Sequence, residues 1–110
     1  MSSERRRSTR VEILGRLHGH DVSLNVPVMV REISLGGMAI ETPFAFAVGT
    51  MQEFRLTLGD GAYVVLRGQA RHCRSLDTSG TTAYLTGFQF VDEDPPEGSS
   101  SVGDLMQRMG

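Results

Sequence analysis

Val22-Ser23-Leu24-Asn25-Val26-Pro27-Val28-Met29-Val30-Arg31 sets an apolar side chain at every second position. Successive strand residues point to opposite faces of a sheet. The stretch therefore reads as a β-strand with Val22, Leu24, Val26, Val28 and Val30 on a buried face and an exposed face opposite. Pro27 cannot donate to a ladder, which puts this strand at an edge or on a bulge. Upstream, Val11, Ile13, Gly15 and Leu17 share a face, and His18-Gly19-His20-Asp21 reads as a turn. Downstream, Ser34-Leu35-Gly36-Gly37 breaks the run, Met38–Thr42 is a short strand, and Pro43 and Gly49 bracket a loop over 43–50. Phe54, Leu56 and Leu58 alternate up to Gly59-Asp60-Gly61, whose Asp-Gly pair signals a hairpin. Tyr63 to about Arg74 returns as a longer strand, Asp77-Thr78-Ser79-Gly80 turns the chain, and Thr82–Val91 closes the set. Six strands joined mostly by tight turns predict an all-β fold, a six-stranded antiparallel β-barrel, since closure hides the edges.

The flanks differ from this body. Residues 1–10 are polar, lack apolar periodicity and read as a mobile basic arm. Residues 11–92 hold the barrel. Residues 93–110 begin as an acidic linker with Pro95-Pro96 and Gly98-Ser99-Ser100. They end with Val102, Leu105, Met106 and Met109 on one face of a short helix, and Ser101 and Asp104 stand at capping-box spacing. About two turns cannot hold themselves in water, so this helix must dock, either on the end of its own barrel or on a partner. Phe44 and Phe46 likewise either fold back into the core or form an apolar contact patch.

The chain has 110 residues, 39% of them hydrophobic, enough for one domain with a real core. Cys73 is alone, so no intramolecular disulfide forms and a reducing, cytoplasmic setting is expected. The longest apolar runs, such as Ala62-Tyr63-Val64-Val65-Leu66, are far too short to span a membrane. The net charge of −2 argues against a nucleic-acid polymer as partner. Its distribution is uneven: residues 1–16 carry five arginines against Glu4 and Glu12, whereas residues 91–110 carry five acids against Arg108. A small basic head on an acidic body suits one small anionic partner.

Enzyme chemistry finds no support. His18, His20, His72 and Cys73 lack zinc-site spacing, Gly36-Gly37 does not lead into a phosphate-cradling helix, and no carboxylate pair is set for acid–base work. The basic head offers more. Arg6 and Arg10 stand i, i+4, about 13 Å apart on an extended chain at roughly 3.3 Å per residue, so their two forks can grip both ends of one compact anion. Arg31-Glu32-Ile33-Ser34-Leu35-Gly36-Gly37 supplies a carboxylate and a hydroxyl on one face, then a Gly-Gly that frees the backbone to turn. Arginine pairs with guanine O6 and N7 or with phosphate, and a carboxylate accepts from guanine N–H groups. The combination suits a guanine nucleotide.

Arg6-Arg7-Ser8-Thr9-Arg10, followed by Glu32-Ile33-Ser34-Leu35-Gly36-Gly37, resembles the RxxxR and [D/N]xSxxG signature of PilZ domains. Met38-Ala39-Ile40-Glu41 after the glycines and Thr86-Gly87-Phe88-Gln89-Phe90-Val91-Asp92 near the end are similar to the family as well, so the resemblance covers about residues 4–92. It implies a six-stranded barrel, often with a C-terminal helix, and binding of cyclic di-GMP, a bacterial second messenger, without an enzyme activity or cofactor. Arg6 and Arg10 would clamp guanine edges and phosphates, with Glu32, Ser34, Gly36 and Gly37 shaping the opposite wall and Arg5 and Arg7 as further contacts. The arm would order over the ligand and a partner protein would read the new surface. Glu32 departs from the family's Asp or Asn by one carbon–carbon bond, about 1.5 Å. An adaptor that works through protein contacts without nucleotide is the alternative function.

Overall fold

The structure is a computed structural model and describes residues 11–12, 17–78, 80–91 and 102–109. The arm at residues 1–10, with its four arginines, lies outside the described residues, as does most of the linker. Seven strands run in chain order: β1 (Val11–Glu12), β2 (Leu17–Asp21), β3 (Val26–Ile33), β4 (Gly37–Thr42), β5 (Met51–Leu58), β6 (Tyr63–Thr78) and β7 (Thr81–Phe90). One helix, α1 (Val102–Met109), follows. All pairings are antiparallel. β1 and β2 lie one after the other along the same strand, at Val11↔Ile33 and Gly19↔Val28, and so form a single stave. The order β2-β5-β6-β7-β4-β3 then closes on itself through β3–β2, giving the six-strand barrel.

The core is the inward face of that barrel. Phe54 and Leu56, from the alternating β5 pattern, are fully buried, as is Ile40 on β4. Phe46 folds back from the loop after β4 and stacks edge-on against Phe44 and Phe88, whose ring in turn meets Phe54 at 4.9 Å. Edge-to-face rings at this spacing add to simple burial. The loop phenylalanines therefore belong to the core. Leu105 of α1 is fully buried in the same cluster, with Val102 and Met106 packed beside it, so the helix docks on its own barrel. Asp104 in its first turn complements the positive end of the helix dipole.

Two turns fall elsewhere than the sequence pattern predicts. His18–Asp21 is not a turn but the end of β2, and the reversal occupies Val22–Asn25, which leaves Val22 and Leu24 exposed. Gly19 misleads because its job is packing: a Cβ there would press on the Val28 and Val30 side chains. The true turn is built by its flanks. Asp21 Oδ1 accepts the Leu24 N–H at 2.9 Å, and Asn25 takes a left-handed φ of 59°, which asparagine tolerates. The His20 Nε2–H donates to Asn25 Oδ1 at 3.0 Å and closes the loop. Asp21 is itself fully buried, and that desolvation pushes its carboxyl pKa up despite the backbone N–H groups of Leu24 and Ser23 and the nearby His20. At the other hairpin, Asp77 and Thr78 do not turn but continue β6, which pairs Thr78 with Thr81. Gly80 there has a φ of 77°.

Candidate functional site

Two β-bulges shape one outer face of the barrel. In β3 the register passes from Val30↔Ile40 to Glu32↔Ala39, leaving Arg31 as the extra residue. Val30 and Ile33 both point inward, at 2% and 1% exposure, so Arg31 and Glu32 are turned outward together. Uninterrupted alternation from Val30 would have aimed Glu32 at the core. In β6 the register passes from Ala70↔Phe88 to His72↔Gly87, and Arg71 is the extra residue. Ala70 is fully buried while Arg71 and His72 are both exposed. Each bulge thus delivers two consecutive polar side chains to the surface.

The registers line up one row across four strands: Glu32 on β3, Ala39 on β4, Gly87 on β7 and His72 on β6. Small residues in the middle and long polar ones at the ends make a trough. Gly87 leaves room for its neighbour, since a Cβ there would occupy the space of the His72 ring, which lies across the strand.

The Ser34–Gly37 bend closes one end of this trough. The Ser34 N–H donates to the Gly37 carbonyl at 2.8 Å, and its hydroxyl reaches the same oxygen at 3.3 Å. The Phe90 N–H donates to the Gly36 carbonyl at 2.9 Å, tying the bend to β7. Gly37 and Gly36 differ in what they answer to. A Cβ on Gly37 would fall closer than 3.0 Å to the Phe88 carbonyl oxygen, so the barrel itself demands glycine there; on Gly36 a Cβ would meet nothing within 4 Å. Leu35, at the tip, is 66% exposed.

A pocket of about 220 Å³ opens between the bend and the β6 bulge. Ser34, Gly36 and Gly37 line it from one side, and Arg71, His72 and Gln89 from the other. Three residues that the sequence pattern singles out therefore meet in one concavity. Glu32 stands in the same cross-strand row and does not line the pocket. Arg31 Nη1 donates to Glu41 Oε1 on β4 and is engaged there. Arg5, Arg6, Arg7 and Arg10 lie outside the described residues.

Arg71 and Gln89 escaped the sequence reading, and His72 was weighed there only as a metal ligand, because all three sit on segments that read as ordinary strands. Their grouping depends on a bulge and on pairing with residues far off in the chain. The signal available was a run of polar residues, Arg71-His72, interrupting an alternating strand, which is what a bulge produces.

The sequence pattern of the PilZ domain matches residues 4–107. The chain belongs to the PilZ domain family. Among solved structures it is similar to "Structure of K. pneumonia MrkH-c-di-GMP complex", at TM-score 0.65 and 15% identity, covering 81% of this chain and 45% of that one. It is also similar to "Structure of Bacillus subtilis Inhibitor of motility (MotI/DgrA)", at TM-score 0.64 and 14% identity, covering 94% of this chain and 46% of that one. At these identities the likeness is one of fold, and this PilZ chain spans a little under half the length of either structure. A search of curated proteins gives no match. The PilZ barrel is thus the frame on which the bend and the trough are mounted. Among the described residues, no three His, Cys, Asp or Glu side chains cluster as a metal site, and no helix is long and apolar enough to cross a membrane.

Proposed function

We propose that this PilZ domain is a receptor for cyclic di-GMP, bound between its arginine arm and the Ser34–Gly37 bend. The observation that carries the reading is the pocket between that bend and the β6 bulge, open on the outer face of the barrel. Its 220 Å³ is below the roughly 300–1,000 Å³ of a complete small-ligand pocket, so it serves as one wall and the arm supplies the other. The register supports this: Val11 pairs with Ile33, the neighbour of Ser34, and one Cα–Cα step of about 3.8 Å separates Val11 from Arg10. Val11, to which the arm is joined in sequence, is thereby paired next to the bend. MrkH, a fold neighbour, was solved as its c-di-GMP complex.

In this reading Arg6 and Arg10 fork onto guanine edges and phosphates, with Arg5 and Arg7 adding contacts. Gly36 lets the ligand approach the backbone, since no side chain stands there. Ser34 and Gly37 fix the shape of the bend, and Glu32 accepts from a guanine N–H at the rim. Arg71 adds a guanidinium from the barrel side of the pocket. The functional division is an arm over residues 1–10, the barrel over 11–92, and a linker with a docked helix over 93–110. Ordering the arm over the nucleotide changes the surface that a partner protein reads, in the cytoplasm of a bacterium.

Calorimetric titration of the full chain with cyclic di-GMP tests the reading. Saturable binding is expected, weakened by added salt and reduced about 5- to 150-fold by Arg10→Ala, the equivalent of a bidentate contact of about 1–3 kcal/mol. Absence of saturable binding in the unmodified chain overturns it in favour of an adaptor that works without nucleotide.

A further inference from the structure

Away from the bend, one stave of the barrel stops short. β4 is paired on both sides, and its last partners are Met29 on β3, opposite Glu41, and Tyr84 on β7, opposite Thr42. The chain then leaves the sheet at Pro43. Both neighbours run past this point: β7 by three residues, Ala83, Thr82 and Thr81, and β3, whose Val28 falls opposite Thr42, by Pro27 and Val26. Each overhang is held on its far side, by β2 and β6 respectively. Among the described residues no strand pairs with their facing edges.

A groove of about 480 Å³ lies between the two overhangs, with Thr42 and Pro43 at its inner end. Since β4 fills the same gap further along, the spacing from β3 to β7 is two strand separations, about 9–10 Å, the width of one strand. Three residues of depth along β7 correspond to about 10 Å of extended chain. The lining is mostly apolar: Pro27, Val28, Ala83 and the methyl-bearing threonines, with Met29 52% exposed on the rim. Its one charged side chain, Glu41, is already engaged by Arg31.

We propose that this groove is a binding site for an extended, uncharged, β-branched segment of a partner protein, which enters as the missing continuation of β4. Backbone pairing on a preformed edge gives affinity, and the apolar walls select the side chains. Pro27 offers a carbonyl but no N–H, so β7 carries most of the pairing and β3 is protected from indiscriminate strand addition. The chain's own candidates do not match. The arm holds Arg5, Arg6, Arg7 and Arg10, and the linker holds Glu93, Asp94 and Glu97, all costly to bring into a neutral groove, while Gly98-Ser99-Ser100-Ser101 has no apolar side chain to offer its walls. From a second copy, the β6 edge beyond Gln69 would bring Arg71, His72 and Arg74.

The experiment is an NMR titration of the full chain with a capped pentapeptide of alternating valine and threonine, following backbone amides. Saturable shifts centred on Thr82, Ala83 and Val28 are expected, with binding weakened about tenfold when the central peptide nitrogen is methylated and again in Ala83→Arg. The proposal is overturned if those amides stay still at millimolar peptide, or if the methylated peptide binds equally well. It is likewise overturned if the Thr82 amide is already exchange-protected in the free chain, by a dimer or by a segment whose removal exposes it.

Discussion

Substituting alanine at Gly37 and at Gly36 separates what the barrel needs from what a ligand would use. At Gly37 the new methyl would lie closer than 3.0 Å to the Phe88 carbonyl oxygen, whereas ordinary contact begins at 3.4 Å. The difference, 3.4 − 3.0, obliges a movement of at least 0.4 Å, and a backbone oxygen cannot rotate away as a side-chain tip can. Gly37 pairs with Gln89 and Met38 with Phe88, so the shift passes directly to Met38 and Phe88, both buried in the core. Overpacking of this kind costs about 1–3 kcal/mol. Gly36→Ala meets nothing within 4 Å and has no left-handed φ to oppose it, so its effect stays within about 0.5 kcal/mol. Urea unfolding followed by far-UV circular dichroism reads both, since the chain has no tryptophan. With a slope of about 1–3 kcal/mol per molar, Gly37→Ala lowers the midpoint by about 1 M at unchanged slope. Equal stability of Gly37→Ala and the parent, or an equal loss in Gly36→Ala, refutes the steric argument. If both hold, Gly36→Ala becomes the clean probe of ligand approach, because any affinity it loses is not stability in disguise.

Leu105→Ala removes a fully buried side chain from the helix–barrel contact and is expected to lower stability by about 2–4 kcal/mol in the same assay; a loss below 1 kcal/mol, on the same scale, would mean that the helix is not part of the cooperative unit. The buried Asp21 carboxyl is held above its ordinary pKa of 3.8, so the stability it contributes is fully present below that pH and is lost as pH rises through the folded-state value. Asp21→Asn keeps an acceptor for the Leu24 N–H and should gain on the parent from about pH 4 upward, and a pH-independent difference would contradict this. Gly87→Ala should displace the His72 ring at a cost of about 0.5–1.5 kcal/mol, since a side chain can take another rotamer, and its imidazole NMR signals should move. Unmoved signals would show that the ring does not lie over Gly87.

The strands whose side chains alternate without interruption were legible from the sequence. Phe54, Leu56 and Leu58 with the following Asp60-Gly61 turn form β5 and its hairpin as read, and Gly61 has the positive φ that such a turn uses. The closed barrel and the amphipathic helix follow from the same patterns, whereas the burial of Leu105 in the barrel core decides where that helix docks. The reversal at Val22–Asn25 was not legible because Val22 and Leu24 keep the strand period while Asp21 and Asn25 supply the turn chemistry. A glycine nearby drew the turn to the wrong place, because a glycine that yields room to Val28 and Val30 looks like one that bends the chain. At the candidate site, the local order Glu32-Ile33-Ser34-Leu35-Gly36-Gly37 is written in one segment and was readable. Arg71, His72 and Gln89 were not, since they join that segment only through sheet register and a bulge.

A receptor for a cyclic dinucleotide needs the bend and the β6 bulge to act as one binding face. Titrating the isotope-labelled full chain with cyclic di-GMP and mapping its backbone amides tests this directly. The amides of Ser34, Gly36, Gly37, His72 and Gln89 are predicted to shift together and saturate, while Thr82 and Ala83 stay in place. Shifts confined to other surfaces, or none at all, would contradict it.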